Sequence, residues 1–412
     1  MSLRCLVVLI SLPWAFVSIA HAQSPEATLL TVSAAVAEAQ AASPALQAQR
    51  ARVSGEEVAA PEAGRMPNPT FAWLGQGLRL NAPAELQPDH GVYVVQSLPL
   101  GGRLSAQRRL AAADVGVAAT LLDEQREAVA LETIALFVEM LRTSQARAVL
   151  DQRTQGLDEL VRIQQRRVDE GMAPAGDLGR LQAEQVRLRI AKGRLDAEGR
   201  RVRFALCAAL GRTTCDGWDV QAPLAQDAGP PPQDMGLIDA RLEARPAVRS
   251  AVSRLDQARF TKAVADASVW PSLDVTAGYA RTQFLDTGMA GLSMTVPLFD
   301  RQKAQRARAE AAVQAATLEV EQARRSARTG LLQAIGLATD LSRQAGSADL
   351  LTPSLAAQRA ARSAFREGNA DLIRLLDAER LVADAQTDAL SLTLDALQAS
   401  LQTRVLLGLP LP

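Results

Sequence analysis

Apolar and polar residues follow two rhythms along this chain, one helical and one alternating, and the pair recurs in the same order twice. In the first half, alanine and apolar positions at helical spacing predict a helix from about Val32 to Ala60. Two runs of strand-forming residues follow, Thr70-Phe71-Ala72-Trp73-Leu74 and Gly91-Val92-Tyr93-Val94-Val95-Gln96, on either side of a loop containing Pro, Asn and Asp. In the second half a helix is expected over Leu237 to Ala267. Ser272-Leu273-Asp274-Val275-Thr276-Ala277-Gly278-Tyr279 and Gly291-Leu292-Ser293-Met294-Thr295-Val296 come next, both alternating with period two. Such alternation marks strands with one apolar and one polar face.

Each strand pair leads into a long helical stretch, about Arg103 to Val168 and about Arg301 to Phe365. Roughly 65 residues at 1.5 Å rise make about 100 Å of helix, more than one globular domain needs. Leu121, Ala128, Leu131, Ala135 and Val138 recur at threes, fours and sevens and predict a seam for a partner helix. Each long helix then breaks at a glycine and returns, over Ala175 to Leu210 and Asp371 to Leu407.

The repetition extends to identities. Pro99-Leu100-Gly101-Gly102-Arg103-Leu104-Ser105-Ala106-Gln107-Arg108 aligns without a gap on Pro297-Leu298-Phe299-Asp300-Arg301-Gln302-Lys303-Ala304-Gln305-Arg306, an offset of 198. Ser43-Pro44 parallels Arg245-Pro246 at an offset of 202, and Glu170-Gly171 parallels Glu367-Gly368 at 197. Three anchors in one order at nearly constant spacing predict a duplicated chain. The expected division is a leader over 1–22, a first repeat over 23–220, a linker rich in Pro, Ala and acidic residues over 221–235, and a second repeat over 236–412.

The leader has a basic start at Arg4, an apolar stretch from Leu6 to Ile19 and a small-x-small site, Ala20-His21-Ala22. That pattern is a secretory signal peptide, too short for a membrane-spanning anchor. Cys5 precedes the apolar stretch, so it is not placed for lipidation. Lys and Arg number 45, as do Asp and Glu, and the two signs are interleaved. Nothing there favours nucleic acid. Aromatic residues make up only 3%, which suits long helices with narrow seams. After cleavage His90 is the one remaining histidine, so a His-based metal or catalytic site is not expected. No phosphate loop or nucleophile-base pair is visible, and no cofactor is implied. Asp123-Glu124 and Asp158-Glu159 read as solvated or intersubunit ion-pair positions rather than acid-base pairs. Cys207 and Cys215 flank a helix end at Gly211. An exported chain permits either one disulfide or two separate thiols there.

Four amphipathic strands are too few to close a barrel, and their edges need partners. Three chains would supply twelve, with apolar faces toward lipid. The motifs in order resemble the outer-membrane efflux family, the TolC-like channels, over essentially the whole mature chain. Leu30-Thr31 with Ala35, Ala39, Ser43-Pro44 and Leu46 resembles that family's opening helix. Met66-Pro67-Asn68-Pro69-Thr70 resembles its entry to the first strand, and Gln96-Ser97-Leu98-Pro99-Leu100-Gly101-Gly102-Arg103 its exit from the second. Phe365-Arg366-Glu367-Gly368-Asn369 with Leu375-Leu376-Asp377-Ala378-Glu379-Arg380 resembles the helical turn at its periplasmic tip.

The resemblance implies a mainly α fold with membrane β-strands. Two long helical hairpins and two β-hairpins per chain would form a trimeric twelve-stranded barrel continued by a periplasmic helical barrel. It also implies no enzymatic activity. The implied role is a passive duct through Gram-negative outer-membrane lipid, reaching into the periplasm. Its partners would be two further copies, a periplasmic adaptor (membrane fusion) protein and an inner-membrane RND-type pump. The adaptor would dock on Arg167, Val168, Glu170 and Gly171 at one tip and Phe365, Glu367 and Gly368 at the other. Both glycines serve equally well as helix caps. The family's aromatic position before the tip glycine is met by Phe365 but not by Val168.

Around the periplasmic aperture the resemblance points to Asp371, Arg374 and Asp377. Asp377 would form an acidic ring, or else pair with Arg374 one turn away. The Pro99-x-Gly101-Gly102-Arg103 exit is most similar to the cobalt-zinc-cadmium branch, which implies heavy-metal cargo, although that branch has Lys where Gly102 stands. Multidrug or solvent efflux and type I secretion are the alternatives. A periplasmic adaptor or coiled-coil scaffold is the reading of a different class.

Overall fold

The Ser-Pro and Arg-Pro pairs that mark the repeat also break its helices. A residue before proline is pushed out of the helical region. Ser43 (φ −57°, ψ 117°) and Arg245 (φ −59°, ψ 133°) accordingly interrupt what was expected as one helix in each half. The computed structural model describes residues 28–76, 89–221, 235–282, 285–297, 299–347 and 349–412. The leader over 1–22 and all but the ends of the linker over 221–235 lie outside the described residues. In the first half, α1 spans Val32–Ala42 and α2 Pro44–Ala59. Thr31 Oγ1 accepts from the Ala34 amide at 3.3 Å, and Ser43 Oγ from that of Leu46 at 3.4 Å, so each helix begins on a hydroxyl cap. In the second half, α5 spans Met235–Ala244 and α6 Pro246–Ala267.

The strands are longer than alternation alone predicts. β2 (Thr70–Gln76) and β3 (Asp89–Pro99) pair antiparallel, as do β5 (Ser272–Thr282) and β6 (Leu285–Met294). β3 joins β5 from His90 opposite Arg281 to Pro99 opposite Ser272, which gives one four-stranded sheet in the order β2-β3-β5-β6. β6 was expected over 291–296. It instead lies earlier, because pairing with β5 recruits Thr287-Gly288-Met289-Ala290, a run with little strand propensity of its own. A short parallel pair escaped the pattern altogether: β1 (Thr28–Leu30) against β4 (Trp218–Val220).

Gly101 and Gly102, at φ +68° and +74°, turn the chain from β3 into α3, Arg103–Asp169, a single helix of 67 residues. α4 returns over Ala175–Ala209. The second long helix is not continuous. α7 spans Lys303–Ser347 and α8 covers Leu351–Arg366, before α9 at Leu372–Leu406. Asp349 Oδ1 accepts from the Thr352 amide at 2.9 Å, and Pro353 occupies the first turn of α8. An acceptor followed by a proline starts a helix; the single-helix expectation overlooked both.

The largest core lies where α1, the middle of α3 and the ends of α4 and α9 meet β1 and β4. The expected seam on α3 holds only in part. Val138 is fully buried, but Ala128 is exposed and Leu121, Leu131 and Ala135 are half-buried. The buried stripe runs through Ile134, Phe137, Val138 and Leu141, since α3 packs against several helices rather than one. Cys207, in this core, is bonded to Cys215 with their Cα atoms 5.5 Å apart.

Candidate functional site

Two surfaces carry the functional argument: one face of the sheet and the far ends of the long helices. Opposed residues in an antiparallel ladder share a face. Phe71, Val94, Ala277 and Ala290 therefore lie side by side, as do Trp73, Val92, Tyr279 and Gly288, and beyond them Val275 beside Leu292 and Leu273 beside Met294. This face is apolar and open. Phe71 is 70% exposed, Trp73 60%, Leu292 72% and Met294 50%. Arg281 and Asp286, 3.6 Å apart, end it at one side. The opposite face is mixed: Asp274, Thr276, Gly278, Thr287 and Ser293 stand there with Leu74, Tyr93, Val95, Leu285 and Met289. Among the described residues no further strand pairs beyond β2 or β6, so both sheet edges are open. Open edges of this kind leave unpaired backbone groups on β2 and β6 available to further strands. Among the described residues no helix is long and apolar enough to cross a membrane.

At the other end, α3 turns into α4 and α8 into α9 through matching glycine caps. Gly171 has φ +71° and Gly368 φ +76°. Met172 N donates to Arg167 O at 2.7 Å and Gly171 N to Val168 O at 3.0 Å. Asn369 N donates to Ala364 O at 2.8 Å and Gly368 N to Phe365 O at 3.2 Å. Both are Schellman turns, so the capping role of the two glycines is real. Glu170, Gly171, Glu367 and Gly368 are exposed, whereas Arg167, Val168 and Phe365 are half-buried. The two tips meet: the Arg167 guanidinium lies over the Phe365 ring, 5.5 Å from its centre. Around that contact is a cleft of about 520 Å³ lined by Leu160, Ile163, Arg362, Arg366 and Leu375. Beneath it Leu157, Leu181, Leu188, Leu372, Leu375 and Leu376 form one apolar cluster shared by both hairpins.

The three aperture residues divide. Asp371 is the N-cap of α9, its Oδ1 accepting from the Arg374 amide at 3.0 Å. Arg374 and Asp377 are exposed. The Arg374–Asp377 pair weighed as one alternative is absent, since the cation nearest Asp377 is Arg380, at 4.0 Å. The acid pairs on α3 are tied within the chain: Asp123 to Arg126 and Arg249, and Glu159 to Arg162.

Residues the motif reading did not single out hold the tips in place. Glu184 of α4, nearly buried, accepts from Arg153 of α3 at 2.9 Å and from Arg380 of α9 at 3.0 Å. Glu379 of α9, 11 residues after Gly368 as Glu184 is 13 after Gly171, stays within its own hairpin, taking Arg362 Nε and Nη2 at 2.6 and 2.9 Å and Gln358 at 2.7 Å. That bond, above all, raises the Arg362 pKa. Met172 and Ile373, beside the two turns, are apolar side chains left 63% and 46% exposed. An apolar side chain directly after the tip glycine, as at Met172, was a signal available in the sequence. Among the described residues no group of His, Cys, Asp or Glu is arranged to hold a metal ion.

Residues 237–409 match the family model described as outer membrane efflux protein. No curated protein sequence matches the chain. Among solved structures, the chain is similar to CusC, described for folding and transmembrane channel formation, with 16% identity over 95% of this chain and 96% of that one, at a TM-score of 0.81. It is similar to the CmeC outer membrane channel of Campylobacter jejuni, with 13% identity, coverage of 97% and 94%, and a TM-score of 0.78. The open state of the MtrE outer membrane channel of Neisseria gonorrhoeae gives 18% identity, coverage of 94% and 90%, and a TM-score of 0.78. The fold is thus that of the TolC-like channels throughout, and the second half carries their sequence signature.

Proposed function

We propose that this chain, with the outer-membrane efflux signature in its second half and that fold along its length, is the outer-membrane exit duct of a tripartite efflux system. The observation that carries the reading is the open apolar face of the β2-β3-β5-β6 sheet, continuous through Gly101-Gly102 with a helix of 67 residues. Three copies would pair β6 of one chain with β2 of the next and close twelve strands, the apolar faces meeting lipid. The long helices then extend the wall about 100 Å into the periplasm. The tips around Arg167, Gly171, Phe365 and Gly368 would receive a periplasmic adaptor coupled to an inner-membrane RND-type pump. Transport energy belongs to the pump, so the duct itself needs no reaction chemistry.

For cargo, the strand exit Pro99-Leu100-Gly101-Gly102-Arg103 supports heavy-metal cations. The test is the sensitivity of a deletion strain to zinc, cadmium and cobalt salts beside a panel of drugs and solvents. Hypersensitivity to the metals alone, reversed by the intact gene, supports this cargo. Sensitivity confined to drugs reassigns the duct to multidrug efflux.

A further inference from the structure

The two sulfurs of the Cys207–Cys215 bond sit in unlike surroundings. Cys207, on the last turns of α4, is 0% exposed and packed in the core with Leu206, Leu210 and Trp218. Cys215, beyond the turn at Gly211, is half-buried at the edge of that core. Arginines hold the backbone on both sides of the bond: the Arg212 amide donates to the Cys207 carbonyl at 3.0 Å. Arg203 Nη1 donates to the Cys215 carbonyl at 3.4 Å and to that of Trp218 at 2.8 Å. The Arg203 and Arg212 guanidiniums lie 5.4 and 4.9 Å from the Trp218 ring centre. Arg212 is fixed there by Glu38 of α1, with bonds of 2.6 and 2.7 Å. Thiol–disulfide exchange requires an attacking sulfur to reach its target, so the more open of the two sulfurs is the one a partner meets.

We propose that exchange at this bond runs through Cys215, and that the partner which forms it is a protein carrying an oxidising disulfide. The Cys215 thiolate attacks that disulfide and forms a mixed disulfide, releasing one partner thiol. The Cys207 thiolate then attacks the Cys215 sulfur, closes the internal bond and releases the second partner thiol. Two electrons and two protons pass from the chain to the partner, whose disulfide becomes a dithiol. Because Cys207 is enclosed by the core, its sulfur closes the bond rather than receiving the partner. The finished bond ties the end of α4 to β4, and through the β4–β1 pairing to the start of α1.

Two experiments test the assignment. The folded, full-length wild-type protein is treated with reduced glutathione, quenched with iodoacetamide and mapped by mass spectrometry. Glutathione is expected on Cys215 and the alkyl group on Cys207, in about tenfold excess over the reverse pattern. The reverse pattern, or no reaction in the folded protein when the denatured chain reacts, overturns the proposal. In cells, Cys207→Ser and Cys215→Ser are acid-trapped and compared. The Cys207→Ser chain, which keeps Cys215, is expected to accumulate a mixed disulfide with a thiol oxidoreductase. Equal or greater trapping by Cys215→Ser, or none by either variant, overturns it as well.

Discussion

Arg380 of α9 donates to Glu184 of α4 across 3.0 Å, and this pair carries charge between the two helical hairpins where their tips converge. Glu184 is already held by Arg153 of α3, so a single nearly buried carboxylate joins three helices. Glu379, the acid that follows the second tip, reaches only α8. One acid thus closes a hairpin and the other couples hairpins.

Removing that carboxylate leaves Arg153 and Arg380 facing each other without their acceptor. Glu184→Ala is expected to cost about 2–3 kcal/mol, because the unpaired charges remain in a partly dry site. Arg380→Ala, whose side chain is 43% exposed, should cost about 1 kcal/mol. Thermal unfolding of the detergent-solubilised protein followed by circular dichroism gives both values. Equal losses for the two variants would contradict the coupling assigned to Glu184.

The Glu38–Arg212 pair makes stability depend on pH. The Arg212 hydrogen bond lowers the Glu38 pKa, and burial opposes this only in part. A carboxyl group lowered in the folded state stabilises above its unfolded value, and that contribution fades as pH falls through the lowered value. Glu38→Gln is thus expected to lower the unfolding midpoint at neutral pH and to leave it unchanged in strong acid. Melts recorded from neutral to strongly acidic pH check this, and a constant difference at every pH would contradict it.

The tip glycines have positive φ and open space where a Cβ would stand, so only backbone strain opposes substitution. Gly171→Ala and Gly368→Ala should each cost about 1 kcal/mol by thermal unfolding. Gly368→Pro also removes the amide that bonds Phe365 O, and is expected to abolish efflux while membrane insertion stays intact. Resistance assays at matched expression decide it. Unchanged resistance would remove the tip from the docking account.

On the sheet, the two faces should respond oppositely. Leu292→Lys on the apolar face is expected to cost about 2–4 kcal/mol of insertion and to deplete the outer-membrane fraction. Thr276→Lys on the other face should insert normally and shift ion selectivity toward anions. Fractionation and reversal potentials separate the two outcomes. Normal insertion of the Leu292 variant would contradict a lipid-facing role for that face.

Much of the fold is legible in the sequence. Alternation placed β5 at Ser272, a run of strand-forming residues placed β3 near Gly91, and helical spacing over a long run placed α3 within a residue of its end. What escaped depends on neighbours or on single residues. β6 is built from Thr287 to Ala290 by its pairing with β5, not by propensity. The break before α8 turns on Asp349 and Pro353 inside an otherwise helical run. At the site, the tip glycines and Phe365 were visible as motifs. The roles of Glu184, Arg153 and Arg380 require knowing that residues far apart in sequence meet around one carboxylate. At the aperture positions, the cap made by Asp371 and the approach of Arg380 to Asp377 at 4.0 Å are likewise details that the motif does not give.

The measurement that bears most directly on the central claim is single-channel conductance of the purified protein in a planar lipid bilayer, with its assembled mass determined in parallel. A trimer that inserts and gives discrete ion-conducting steps is the result expected of an outer-membrane duct. A monomer that neither inserts nor conducts would contradict it, and would leave the long hairpins as parts of a periplasmic scaffold.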